Sequence, residues 1–363
     1  MTLDSHRFNL RNGLSQRFAA ALFALALSAP AVGCGAGATQ SVNERLEDDI
    51  EFDDEGAAAH PASERVQAGE AKLVEGDLAG AEADFRAAIA EDPRDARAHL
   101  DLGLVLELGE DLAGAEQAYR ETLQLDADFP EALNNLGLLL RDSERAEEAV
   151  TLLRRAVELR PSYAEATLNL GLALEDLGDN AGALDAYRSA ARLSPDDAYP
   201  RVSLGLLLAE TGDATNARTE LSRARSLAQG DAATLLEIGS ALRQLSDFAG
   251  AERAIRDAIA ANENQVTPTL AAELALAQLG AENHDGARAT LEQAITQHPD
   301  DATLHFLLGR VAVERDDVPA ARAAFTRMLA LEADSERASS VRTWLAEHPE
   351  PPAPRPSGRR PSR

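Results

Sequence analysis

Few side chains in this 363-residue chain are placed to do chemistry. Cys34 is the only thiol, which excludes an internal disulfide and confines any sulfur chemistry to one position. The seven histidines are scattered without the spacing of a zinc site, and no HExxH helix, Walker loop or nucleophile-elbow serine is present. Gly33-Cys34-Gly35 closes an apolar run and does not lie between a strand and a helix, so it is no dinucleotide loop. The acidic run Glu44–Glu55 lacks the Asp-x-Asp-x-Asp-Gly order of a calcium loop and reads as a solvated, extended tether. A net charge of −27 weighs against nucleic-acid backbones as partners. Together these observations point to a non-enzymatic protein with no cofactor, no metal and no small-molecule substrate, whose work is binding.

The elements that would carry such binding repeat every 34 residues. In the block from Ala62 to Asp95, Ala68-Gly69, Ala81, Phe85, Ala88 and Pro93 hold positions 7, 8, 20, 24, 27 and 32. Eight copies begin at Ala62, Ala96, Pro130, Ala164, Ala198, Ala232, Pro268 and Ala302 and cover 62–335, with two additional residues near Asn264–Val266. Apolar residues recur at i, i+3, i+4 and i+7, which predicts two amphipathic helices per copy. In the third copy Leu133, Leu136 and Leu140 form the stripe of helix A, and Val150, Leu153 and Val157 that of helix B. Small residues at positions 8, 20 and 27 let backbones approach, where a larger side chain would overpack the contact. Gly76, Gly178 and Gly212 fall between the two helices and suit a left-handed cap. Pro93, Pro161, Pro195 and Pro299 stop helix B. No copy can bury its own apolar face, so neighbours must stack. Glu336–Glu347 adds one more amphipathic helix, with Val341, Trp344 and Leu345 inward and the sole tryptophan sealing the last copy.

This order of small and large residues at this period resembles the tetratricopeptide (TPR) repeat family. The resemblance implies an all-α fold: a right-handed α-solenoid of about eight TPR helix pairs with a C-terminal capping helix. It also implies a protein-interaction scaffold whose concave groove is lined by helix A at positions 2, 5, 6, 9, 12 and 13. Carried onto this chain, position 6 reads Asp101, Asn135, Asn169, Ser203 and Glu237, polar throughout. Asn135 and Asn169 resemble the asparagine ladder by which some relatives grip an extended peptide, since an amide can donate and accept at once. Positions 5 and 9 supply Leu100, Leu104, Leu138, Leu168, Leu172, Val202 and Leu206 to receive apolar side chains of a partner. The same leucines would equally serve to pack against the adjacent repeat, and the residues alone leave both readings open. The relatives that clamp a carboxylate use lysine at position 5. Lys72 is the only lysine here and lies outside the groove, so the clamp is expected to be absent, with Arg141 and Arg243 as isolated substitutes.

Ahead of the repeats, Arg7, Arg11 and Arg17 precede the apolar run Phe18–Gly33, too short to span a bilayer and suited to a signal-peptide core (residues 1–33). Ala31-Val32-Gly33-Cys34 resembles the lipobox of bacterial lipoproteins, with alanine where that family prefers leucine at position 31. The resemblance implies lipidation of Cys34, a lipid anchor at a membrane, and an outer-membrane lipoprotein facing the periplasm; the alternative is a soluble periplasmic protein cleaved behind Ala31 or Ala38. Residues 34–61 then form the acidic tether, and 348–363 a Pro/Arg-rich, disordered tail. The expected function is a non-enzymatic scaffold tethered to the cell envelope that binds proteins or peptides in its groove. Within that class stand a pilotin-like assembly factor for type IV pili or secretion, and an adaptor recruiting a cell-wall enzyme.

Overall fold

The computed structural model describes residues 63–350. The expected signal peptide, Cys34, the acidic tether and the segment from Pro351 onward lie outside the described residues. Among the described residues the chain forms seventeen α-helices and no strand. None of these helices is long and apolar enough to cross a membrane.

Two compact units divide the chain, residues 1–183 and 184–363. The first holds α1 (Glu64–Val74), α2 (Leu78–Glu91), α3 (Ala96–Leu108), α4 (Leu112–Leu125), α5 (Pro130–Asp142), α6 (Ala146–Leu159) and α7 (Ala164–Asp176). The division falls within α8 (Asn180–Leu193). The second unit continues with α9 (Tyr199–Glu210), α10 (Ala214–Leu227), α11 (Ala232–Gln244), α12 (Phe248–Ala261) and α13 (Pro268–Gly280). It ends with α14 (His284–Gln297), α15 (Ala302–Glu314), α16 (Val318–Leu331) and α17 (Glu336–Glu347). Odd-numbered helices up to α15 are the A helices and even-numbered ones the B helices. The two additional residues of the sixth copy are absorbed in the loop 262–267 between α12 and α13.

The A-to-B turn is built the same way throughout, and it is more uniform than the sequence. Position 15 of each of the eight copies has positive φ: Gly76 (79°), Glu110 (65°), Glu144 (63°), Gly178 (78°), Gly212 (89°), Ser246 (61°), Glu282 (59°) and Asp316 (56°). Glycine marks only three of these turns. The rest adopt the same left-handed cap with a side chain present, because the backbone returns a bond across it: Asp111 N–H donates to Leu106 C=O at 2.8 Å. The next residue caps the B helix. Asp77, Asp111, Asp179, Asp213, Asp247, Asn283 and Asp317 each accept from an N–H three residues on, at 2.9–3.2 Å. Arg145 holds this place in the third copy and makes no cap; α6 instead carries Glu147 and Glu148 in its first turn.

Within the first unit each A helix packs on its own B helix and each B helix on the next A helix; α1 also meets α3, and α5 meets α7. The approach is close. A Cβ built on Gly103 would lie 2.5 Å from Tyr119 Cδ1, and one on Gly137 2.7 Å from Leu153 Cγ. Leu133 of α5, Ala156 of α6 and Ala166 of α7 form one buried cluster. In the second unit the buried sets pass from Val202 to Ala277, from Ala271 to Val311, and finally from Ala312 to Val341. Trp344 of α17 lies edge-on to Phe325 of α16, ring centres 5.1 Å apart, and its other neighbour is the His348 ring, stacked at 4.3 Å.

Candidate functional site

The A-helix face of the first unit is built by α3, α5 and α7, whose positions 5, 6 and 9 recur one above another at the 34-residue spacing. The structure sorts the expected groove residues into two groups. Leu104, Leu138 and Asn135 are partly exposed on this face. Leu100 (5 % exposed), Leu168 (5 %), Leu172 (6 %) and Asn169 (0 %) are buried. The expectation that these four present themselves to a partner is therefore corrected: they are wall and core of the helix layer, the three leucines because packing between helices removes more apolar surface from water than lining an open face, and Asn169 because its amide is bonded to Asn134. In the second unit Leu206 of α9 is half-buried against the cluster around Val202.

The asparagine ladder also differs from the expected one. Asn134, fully buried at a position held by leucine in the two flanking copies, is its centre. Its Nδ2 donates to Glu165 Oε1 (3.1 Å) and to Asn135 Oδ1 (3.2 Å), while its Oδ1 accepts from Asn169 Nδ2 (2.9 Å). The amides thus tie α5 to α7 and bond one another, while Asn135 stays partly exposed on the face. The signal that could have found this was the single amide in a register of leucines. Asn135 also bonds the Tyr119 hydroxyl, which donates to Glu107 Oε2 at 2.8 Å. Burial, with the Glu107 charge beside it, pushes the Tyr119 hydroxyl far above the ordinary tyrosine range. Burial raises the Glu107 carboxyl as well, and nearby Asp142 adds to it.

Charge is what sequence reasoning missed most. Arg141 is not isolated: its side chain is 9 % exposed, and its Nε donates to Asp176 of α7 at 2.7 Å. Arg97 is shared between Glu70 of α1 (2.8 Å) and Asp101 of α3 (2.9 Å). Two carboxylates against one guanidinium leave Asp101 undercompensated, and burial pushes its carboxyl up to about 7 while Arg97 pulls the other way. In the second unit Arg243 is likewise engaged, with Glu273 at 2.9 Å. Glu107, Glu131, Asp142, Glu165, Glu175 and Asp176 outnumber the arginines that pair among them, Arg141 with Asp142 and Asp176 and Arg160 with Glu131, and so give the face an acidic character around Leu104 and Leu138. Such a face repels carboxylate ligands and attracts cationic segments that also carry apolar side chains.

Family models described as tetratricopeptide repeat match residues 66–130 and 134–198, and a second model of the same description matches 278–345, together more than half of the chain. No curated protein matches it. Among solved structures, the chain is similar to MamA at 25% identity over 44% of this chain and 93% of that one, with a TM-score of 0.41. It is similar to pilF of Pseudomonas aeruginosa at 24% identity, covering 56% of this chain and 92% of that one, TM-score 0.49. A third likeness is to YrrB, described as a TPR protein with an unusual peptide-binding site, at 21% identity over 55% and 97% of the two chains, TM-score 0.41.

Proposed function

This chain belongs to the tetratricopeptide-repeat family, and from that premise we propose that it is a non-enzymatic scaffold of the bacterial cell envelope that binds a cationic, apolar-studded segment of another protein. The single observation that carries the binding mode is the face of α3, α5 and α7, where partly exposed Leu104 and Leu138 stand among carboxylates whose neighbouring arginines, Arg97 and Arg141, are already paired. Apolar contact would supply affinity and the acidic surround would supply steering and choice of partner. The paired arginines leave no free cation there for an acidic ligand. Attachment through Cys34, the one cysteine of the chain, supports placement at a membrane, with the acidic segment to residue 61 as spacer.

Photocrosslinking in cells tests the groove. A photoreactive residue in place of Leu138 is expected to capture a partner, while the same residue in place of Leu112 of α4, exposed away from the position-9 row, is not. Equal capture at both places, or none at Leu138, overturns the groove assignment. Cys34→Ala tests the anchor: the protein is expected to leave the membrane fraction for the soluble periplasm, and unchanged membrane retention rules the anchor out.

A further inference from the structure

The geometry points to an intramolecular binding site for proline-rich peptide in the second unit, a cleft between α15 and α17 whose occupant is the chain's own segment Pro351–Pro356. The cleft has a volume of about 250 Å³ and is walled by Phe306 and Val313 of α15, Phe325 of α16, and Val341 and Trp344 of α17. Arg310 and Glu314 sit at its rim. Its aromatic rings are held against one another, Phe306 to Phe325 at 6.2 Å and Phe325 to Trp344 at 5.1 Å, so their orientation is set by packing before anything binds. Rigid, flat aromatic surfaces of this kind accept proline rings, and a proline-rich strand is already extended, so it loses little entropy on docking.

Three observations select this occupant. Residues 349–356 read Pro-Glu-Pro-Pro-Ala-Pro-Arg-Pro, proline at every second position or closer. The segment also starts near the cleft: His348, just outside the lining, stacks on the Trp344 ring and Arg322 holds its carbonyl, so the backbone leaves α17 next to one of the aromatic walls. At roughly 3.1 Å per residue of extended chain, a few residues past His348 suffice for the proline-rich sequence to reach that wall. The make-up of the wall completes the choice. Another cleft of the second unit, about 320 Å³, has no Phe, Tyr or Trp in its wall, which sets Arg288, Arg315 and Arg327 beside Glu292 and Asp317 and offers a proline ring no flat aromatic surface.

Trp344 is the only tryptophan in the chain, so its fluorescence reports on this cleft alone. The experiment compares the full chain with a full-length variant carrying Pro351→Ser, Pro352→Ser, Pro354→Ser and Pro356→Ser, reading emission and acrylamide quenching. These positions follow the last helix, and circular dichroism checks that the helices are unchanged. The variant is expected to show red-shifted emission and stronger quenching, and a synthetic peptide of residues 351–363 added to it is expected to reverse both. Identical quenching in the two full-length proteins overturns the proposal. If the added peptide protects Trp344 equally in both, the cleft takes proline-rich peptides from other chains and the intramolecular occupant is ruled out.

Discussion

Arg141 of α5 donates through Nε to Asp176 of α7 at 2.7 Å, joining two successive A helices at the ends of their exposed faces. The guanidinium is nearly enclosed and the carboxylate is 44 % exposed. The pair therefore neutralises a cation that would otherwise face a ligand, and it does so across repeats, where no local sequence pattern reveals it.

Removing either partner tests this. In a double-mutant cycle of Arg141→Ala and Asp176→Ala, the coupling is expected to be about 0.5–1 kcal/mol at low salt, because one partner remains hydrated. It should shrink in high salt. Thermal unfolding of the four proteins measures it; a coupling that is salt-independent would mean the contact is packing and not charge.

Asp101 predicts a pH signature. Its carboxyl is held up at about 7 in the folded chain by burial, against about 3.9 unfolded. A raised pKa stabilises the fold fully below about pH 4, and that contribution drains away as pH climbs through 7. Asp101→Asn removes the titration. The variant's stability relative to the parent is expected to rise steadily between about pH 4 and 7 and then level off, a change of up to about 4 kcal/mol for a shift of about three pKa units, read as a rise in relative melting temperature. A flat difference across that range would place the Asp101 carboxyl at an ordinary value.

The A-to-B turns predict a gain in stability. Glu110 holds φ of 65°, a conformation that costs a residue with a Cβ about 1–2 kcal/mol. Glu110→Gly removes this strain and gives back roughly 0.5–1 kcal/mol in chain entropy of the unfolded state. The net expectation is a small rise in melting temperature. The reverse change, Gly76→Glu, should lower it. A loss on Glu110→Gly would show that the turn is held by something other than its backbone bonds.

Gly137 predicts the opposite. Its added Cβ would meet Leu153 Cγ at 2.7 Å, so Gly137→Ala is expected to destabilise by about 1–3 kcal/mol. Trimming the neighbour should relieve this: the double variant Gly137→Ala, Leu153→Val should lose less than the sum of its parts. Additive losses would mean the two helices simply move apart.

The repeat was legible in the chain because its causes are local. A 34-residue period of small and large residues fixes helix lengths and which faces must be buried, and Leu133, Leu136, Leu140 and Leu153 lie in the core as that periodicity requires. The glycine turns at Gly76, Gly178 and Gly212 lie where the sequence puts them, and the aspartates that follow them cap the B helices, a local bond that the glycine reading did not include. What only the tertiary structure decided is which side chains on the helix A face remain accessible. Position 5 and position 9 both carry leucine, yet Leu100 and Leu168 at position 5 and Leu172 at position 9 are buried while Leu104 and Leu138 at position 9 reach the surface. Asn134 and Asn169 bond each other 35 residues apart, and Arg141 pairs with Asp176 at the same separation. Periodicity records that a face is polar or apolar, but accessibility and charge pairing depend on the neighbouring repeat, whose side chains arrive from a full repeat away in the chain.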